Sequence, residues 1–147
     1  MNDNEPPRII VTPEGAIHRY AAAWKDGDVA GIVGCYAEGV VTHYGGRSSF
    51  AGTHVGRDRL VEVLLATKVL GQRELVSIDQ VHDDGETGAL FVSEQFTVDG
   101  ETRTVSRAFR YRTNGEQIIE CWLYDQDQYV VDQAWTAQSP SLTSVTA

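Results

Sequence analysis

Apolar residues recur along this chain with two different periods, and the change between them divides it in two. Up to about residue 70 the spacing is helical. Ile17, Tyr20 and Trp24, with the alanines between them, make one apolar stripe at intervals of three and four. Thr12-Pro13-Glu14 reads as the start of that helix: a hydroxyl cap, a proline whose missing N–H costs nothing there, and an acid facing the positive end of the helix dipole. Asp26-Gly27-Asp28 ends it and caps a second, short helix carrying Ile32, Val33, Cys35 and Tyr36. A strand from Val40 to Tyr44 follows, then a loop, Gly45-Gly46-Arg47-Ser48-Ser49. Phe50 and the Gly52 to Gly56 region lead into a third helix over about 57–69, with Leu60, Val63, Leu64 and Thr67 on one side.

From Glu74 the period becomes two. Strands are predicted over about 74–82, 88–98, 102–112 and 117–125. Asp83-Asp84-Gly85, Asp99-Gly100 and Thr113-Asn114-Gly115 supply the residues that tight antiparallel turns need. A short helix near 127–135 closes the pattern. Helices first and a four-strand meander afterwards predict a segregated α+β domain. The expected organisation is a flexible N-terminus over 1–11, one domain over 12–136 and a flexible Ser/Thr-rich tail over 137–147.

Alternation along the strands sorts their side chains onto two faces. One face takes Val92, Glu94, Phe96 and Val98, then Val105, Arg107, Phe109 and Tyr111, then Ile118, Glu120, Trp122 and Tyr124. It is the larger and more aromatic set, so it is expected to be concave. Three charges, Glu94, Arg107 and Glu120, fall within it at similar depth on consecutive strands. Burying charge is costly unless it is paired, so an arginine between two carboxylates on an apolar floor suggests a functional site, a structural ion-pair network, or a wrong face assignment that leaves the charges on solvent. The opposite face carries Ile119, Cys121 and Leu123, an apolar strip that predicts a homodimer through the convex side of the sheet. Asp125, of opposite parity to Tyr124, is expected to cap the terminal helix.

Composition narrows the classes of partner. The chain has 147 residues, a formal charge of −9 and no concentration of Lys or Arg, which argues against nucleic acid. Two cysteines inside apolar segments, Cys35 and Cys121, suit buried reduced thiols in a cytoplasmic protein. The N-terminal residues lack the positive and apolar regions of a signal peptide, and no apolar run is long enough to span a bilayer. No cluster has metal-ligand spacing and no Gly-rich loop joins a strand to a helix, so neither a metal nor another cofactor is expected. His43, beside Tyr44 on the first strand, has the chemistry for proton transfer, but only one of the two can face inward. His18, His54 and His82 read as solvated positions.

Particular segments carry a family resemblance. His18-Arg19-Tyr20-Ala21-Ala22-Ala23-Trp24-Lys25-Asp26-Gly27-Asp28, then Gly31-Ile32-Val33 and Tyr36-Ala37-Glu38, resemble the opening of ketosteroid isomerases and their SnoaL-like relatives. That superfamily also includes nuclear-transport-factor-two-like binding domains. Val105 to Tyr124 resembles the family's last hairpin, and the resemblance covers roughly residues 13–135. It implies a cone-shaped, curved antiparallel sheet with N-terminal helices packed on its concave face, an α+β barrel around an apolar pocket. Tyr20 falls at the position of the isomerase's oxyanion tyrosine. The place of its proton-shuttling aspartate is taken by Tyr44, next to His43, and that of its second oxyanion donor by Arg107. These two departures argue against steroid isomerisation itself.

The resulting expectation is a cofactor-independent enzyme acting on a hydrophobic small molecule by proton transfer, of the isomerase or polyketide-cyclase type. Tyr20, Arg107, Glu94, Glu120 and His43 are its expected catalytic groups. Trp24, Tyr36, Tyr44, Phe50, Phe96, Phe109, Trp122 and Tyr124 are its expected substrate-binding walls. The alternatives are an epoxide hydrolase of the limonene-epoxide-hydrolase type, whose carboxylate–Arg–carboxylate trio the three charges resemble in kind, and a non-catalytic ligand-binding domain.

Overall fold

A computed structural model describes residues 15–136. The expected flexible ends, 1–11 and 137–147, and the Thr12-Pro13-Glu14 helix start lie outside that range. Helix α1 spans Ala16–Asp26 and begins at Gly15, which offers no side chain to cap it. The cap comes from across the domain: the Asp83 carboxylate accepts a hydrogen bond from the Ile17 N–H at 3.3 Å. A Cβ on residue 15 would lie 2.0 Å from that carboxylate, so only glycine leaves room for it. Gly27, in the left-handed region at φ 70°, ends the helix. Asp28 accepts from the Gly31 N–H at 3.0 Å and so caps helix α2, Val29–Gly34.

The rest follows as strand β1 (Tyr36–Tyr44), strand β2 (Gly52–Val55), helix α3 (Arg57–Leu70), strands β3 (Glu74–Asp83), β4 (Thr87–Val98), β5 (Glu101–Thr113) and β6 (Ile118–Asp125), and helix α4 (Gln128–Thr136). The meander closes as its turn residues predict. Asp99 and Gly100 both take positive φ, 53° and 81°, as a two-residue turn between twisted strands requires. Two local boundaries differ from the sequence reading. Cys35 and Tyr36 leave the second helix, with Cys35 as its C-cap and Tyr36 opening β1. The Gly52–Val55 segment is a short edge strand rather than a lead-in to α3.

The strands form one curved, unclosed sheet in the order β2-β1-β6-β5-β4-β3. All neighbours are antiparallel except β1 and β6, which run parallel and bring the first strand beside the last. The helices cover its concave side. One apolar cluster joins α1 to the middle of the sheet through Ile17, Tyr20, Leu60, Leu90, Val92 and Tyr111. A second joins α3 and α4 to it through Val63, Phe96, Val105, Val131 and Trp135. Among the described residues no helix is long and apolar enough to cross a membrane.

One irregularity redirects the last strand. Arg112 pairs with Glu120, but the next residue, Thr113, pairs with Ile118, so Ile119 is an extra residue in the ladder. A bulge of this kind shifts the alternation by one. Beyond it Cys121, Leu123 and Asp125 turn inward, while Glu120, Trp122 and Tyr124 turn outward. The inward set expected for β6 is therefore corrected from Glu120 onward, and so is the apolar strip expected on its convex side. Ile118, before the bulge, is buried as expected.

Candidate functional site

The concave floor holds a line of four charged side chains. Glu94 on β4 is 0% exposed and lies between two guanidinium groups. Arg73 Nη1 donates to its Oε2 at 2.9 Å, and Arg107 Nη1 donates to its Oε1 at 2.7 Å. The other edge of the Arg107 guanidinium is taken by Asp125, through Nε and, at 3.4 Å, through Nη2. Arg73 also donates to the Leu64 carbonyl at 3.3 Å and the Thr67 hydroxyl at 3.4 Å, both on α3. Two cations and two carboxylates thus balance, and burial sharpens the pairing. Desolvation alone would push the Glu94 carboxyl up, but the Arg73 and Arg107 charges outweigh it and hold it below its ordinary range. Desolvation would lower Arg107 in the same way, yet Asp125 and Glu94 raise it, so the guanidinium stays charged. Its Cζ lies 5.2–5.4 Å from the ring centres of Phe96, Phe109 and Trp135, a cation enclosed by aromatic faces.

Above this floor lies a small cavity of about 30 Å³. Tyr20 and Trp24 from α1, Tyr36, Thr42 and Tyr44 from β1, Leu60, Leu64 and Thr67 from α3, and Trp135 from α4 line it with Arg73, Arg107, Phe109, Tyr111, Cys121 and Leu123. Tyr20 sits at the centre of the aromatic wall, its ring 5.3 Å from Tyr36 and 6.0 Å from Tyr111. The Tyr20 and Tyr36 hydroxyls share a hydrogen bond. Burial raises all three phenols, so each remains protonated near neutrality. Burial also raises Cys121, which stays a thiol. Four of the lining residues each carry a buried polar atom, Thr42 Oγ1, Arg73 Nε, Tyr111 OH and Trp135 Nε1, that has no hydrogen-bond partner among the described residues. Leaving such a group unpaired costs about 1–3 kcal/mol.

Tyr20, Trp24, Leu64 and Arg73 also border a wider groove of about 210 Å³ between the helices. Its remaining wall is apolar, with Val29, Ile32 and Val33 of α2, Val61 and Leu65 of α3 and Leu75 of β3, and Lys68 at its edge. A small chamber lined by donors therefore adjoins a larger apolar one.

Several expected site residues lie in this arrangement: Tyr20, Trp24, Tyr36, Tyr44, Phe109 and Arg107 line the cavity, and Phe96 packs beneath it against Arg107. Glu94 is in the floor but locked between arginines. Of His43 and Tyr44, the tyrosine faces inward. His43 lies on the outer face, where its Nε2 donates to Glu120 at 2.7 Å and its ring stacks on Trp122 at 5.3 Å. Glu120 also accepts from Arg112 at 3.1 Å. Glu120 and His43 are thus corrected to a shared cluster outside the cavity, and Trp122 and Tyr124 go with them, all of the β6 residues for the reason of the bulge at Ile119. Phe50 packs edge-on to Trp135 at 6.2 Å and does not line the cavity. Asp125, expected as a helix cap, is the second carboxylate on Arg107, and Asp127 accepts from the Val130 N–H at the start of α4 instead. Arg73, Thr42 and Trp135 were not singled out from the sequence, and Tyr111 was turned inward there but not named among the expected site residues. For Arg73 one signal existed: an inward carboxylate flanked by a single arginine that is itself shared.

The comparisons with known proteins agree with this architecture. No curated protein matches the chain in sequence at a significant level. Among solved structures, the chain is similar to a protein of unknown function with a cystatin-like fold from Xanthomonas campestris, at 22% identity and a TM-score of 0.75, covering 82% of this chain and 95% of that one. An NTF2-like protein of unknown function from Burkholderia pseudomallei aligns at 16% identity and a TM-score of 0.70, over 82% of this chain and 95% of that one. A Mesorhizobium loti protein described as a candidate SnoaL-like polyketide cyclase aligns at 19% identity and a TM-score of 0.63, over 74% and 95%. The family model for the SnoaL-like domain matches residues 17–121, most of the chain, and the chain belongs to that family.

Proposed function

We propose that the protein is a cofactor-independent enzyme that polarises the carbonyl of a hydrophobic small molecule, in the manner of an isomerase or polyketide cyclase. The observation that carries this reading is the set of protonated phenols, Tyr20 above all, beside the Arg73 guanidinium in a largely apolar chamber. Donors fixed in a water-poor site stabilise negative charge as it develops on an oxygen, without having to reorient. The Mesorhizobium protein, described as a candidate polyketide cyclase, supports the same class of chemistry. Glu94 and Asp125 are held by guanidinium groups and neither lines the cavity, so in this reading they position Arg107 and Arg73 rather than move protons. The proton at the α-carbon passes to solvent water entering the wider groove between the helices. The same geometry disfavours the epoxide-hydrolase reading. That reaction needs a carboxylate within reach of a water beside the substrate, and here both carboxylates face the arginines.

The test is exchange of the α-protons of 2-tetralone in D₂O, followed by proton NMR. The expected result is acceleration over buffer by the native protein and a loss of about a hundredfold of it in Tyr20→Phe. No acceleration would leave a ligand-binding domain and end the catalytic reading.

A further inference from the structure

Resting on the carbonyl-polarising reading, we infer that the chamber recognises a neutral carbonyl head, and discriminates against both a carboxylate and an amine on an otherwise identical apolar body. Thr42, Arg73, Tyr111 and Trp135 all line the same chamber and are 2%, 9%, 1% and 3% exposed, and each carries a buried polar atom, Thr42 Oγ1, Arg73 Nε, Tyr111 OH and Trp135 Nε1, with no hydrogen-bond partner among the described residues. Arg73 Nε–H and Trp135 Nε1–H can only donate. The two hydroxyls can donate, and burial keeps Tyr111 protonated. The complementary group must therefore bring acceptor lone pairs, which excludes an ammonium.

Charge then separates the remaining acceptors. Both guanidinium groups are already matched, Arg73 and Arg107 against Glu94 and Asp125. No surplus positive charge is left in the floor for a permanent anion, and the chain as a whole carries −9. A carboxylate would lose its hydration on entry without gaining a counter-charge of its own. A ketone or quinone oxygen has two lone pairs, no net charge and little hydration to lose. Size agrees: about 30 Å³ admits a group of two or three heavy atoms, on the scale of one or two waters. The apolar body would lie in the neighbouring groove of about 210 Å³, past Tyr20 and Trp24, which border both spaces.

The experiment uses four naphthalenes that differ only in the head: 2-acetylnaphthalene, 2-naphthoic acid, 1-(2-naphthyl)ethylamine and 2-ethylnaphthalene. Each is titrated into the full-length protein by calorimetry at pH 7.5. In parallel the tryptophan indole N–H signals are followed by ¹⁵N-resolved NMR and assigned through Trp135→Phe. The ketone is expected to bind about tenfold or more tighter than the other three, and to move the Trp135 indole proton downfield as a hydrogen bond forms. Tyr111→Phe and Thr42→Val should weaken the ketone severalfold and leave 2-ethylnaphthalene unchanged, which a general packing defect would not do. Tighter binding of the naphthoate or the amine overturns the neutral-head inference while a binding chamber stands. Equal binding of ketone and ethylnaphthalene, with the Trp135 signal unmoved, shows that the donors are not used. Failure of all four to bind up to their solubility limits overturns this inference together with the carbonyl-polarising reading.

Discussion

Two charge clusters sit on opposite faces of the same sheet and use the same side-chain chemistry to different ends. On the inner face Arg73, Glu94, Arg107 and Asp125 form a chain in which Glu94 is 0% and the Arg107 side chain 2% exposed. On the outer face Glu120 joins His43 and Arg112, whose side chain is 53% exposed. Inside, each charge depends on its partners because water cannot replace them. Outside, water and salt can replace most of each contact. The comparison teaches that the carboxylate–Arg–carboxylate pattern has meaning only together with depth. The inner cluster is also where the apolar chamber and its unpaired donors are, so the arginines it fixes are the ones a ligand would meet.

The sharpest way to break the comparison is Arg107→Met, which leaves Glu94 with one partner and Asp125 with none. A loss of about 3–5 kcal/mol in urea denaturation is expected. A loss below about 1 kcal/mol would mean that the inner cluster behaves like a surface one.

How far this contrast was legible follows from particular residues. The period-two pattern and the turn residues were sufficient for the meander, and alternation correctly turned Glu94, Arg107, Phe109 and Tyr111 inward. The partners were another matter. Ile118 and Ile119 are both apolar, so nothing in the pattern shows which is the extra residue, and a one-residue error exchanged Glu120 for Asp125. Arg73 lies two residues after Gly71 and follows Gln72, whose φ is 48°, in a turn that reads as a polar connection. Its inward direction is set by Glu94, some twenty residues on. The parallel pairing of β1 with β6 is likewise a long-range outcome that no local period encodes.

Glu94→Gln tests the electrostatic half of the contrast. An amide oxygen can still accept from one arginine, so the expected loss near pH 7 is smaller, about 2–3 kcal/mol. Its pH dependence has a definite sign. The folded carboxyl is held below its ordinary value of 4.5, so its contribution is complete above that value and is lost as pH falls through the lower folded one. Urea midpoints measured between pH 6 and pH 3 should fall less steeply for Glu94→Gln than for the native chain. Parallel curves would mean that Glu94 is not held as an anion.

Thiol labelling sharpens the geometric half. Cys121 is 4% exposed and turned inward, while Tyr124 of the same strand is 51% exposed and turned outward. In Tyr124→Cys the new thiol should react with Ellman's reagent at least about a hundredfold faster than the native thiols, which react only after local opening. Rapid reaction of Cys121 in the native protein would place the strand in the other register.

The smallest effect is expected outside, and it is the one that completes the comparison. Glu120 accepts from His43 at 2.7 Å and from Arg112 at 3.1 Å, contacts as short as those within the inner cluster. The His43 hydrogen bond, followed by Arg112, lowers the Glu120 carboxyl even so. Distance alone would therefore rank the two clusters equal. Exposure does not: both partners and the carboxylate reach solvent, so the folded state gains little that water would not supply to the unfolded chain. Glu120→Gln should leave the urea midpoint nearly unchanged, and the small difference that remains at low salt should vanish in 0.5 M sodium chloride, roughly where screening acts within about 4 Å. If that variant instead lost as much stability as Glu94→Gln, and kept the loss in salt, the outer face would have to be covered in solution. A second copy of the chain on Trp122 and Tyr124 would then be the first explanation to test by sedimentation.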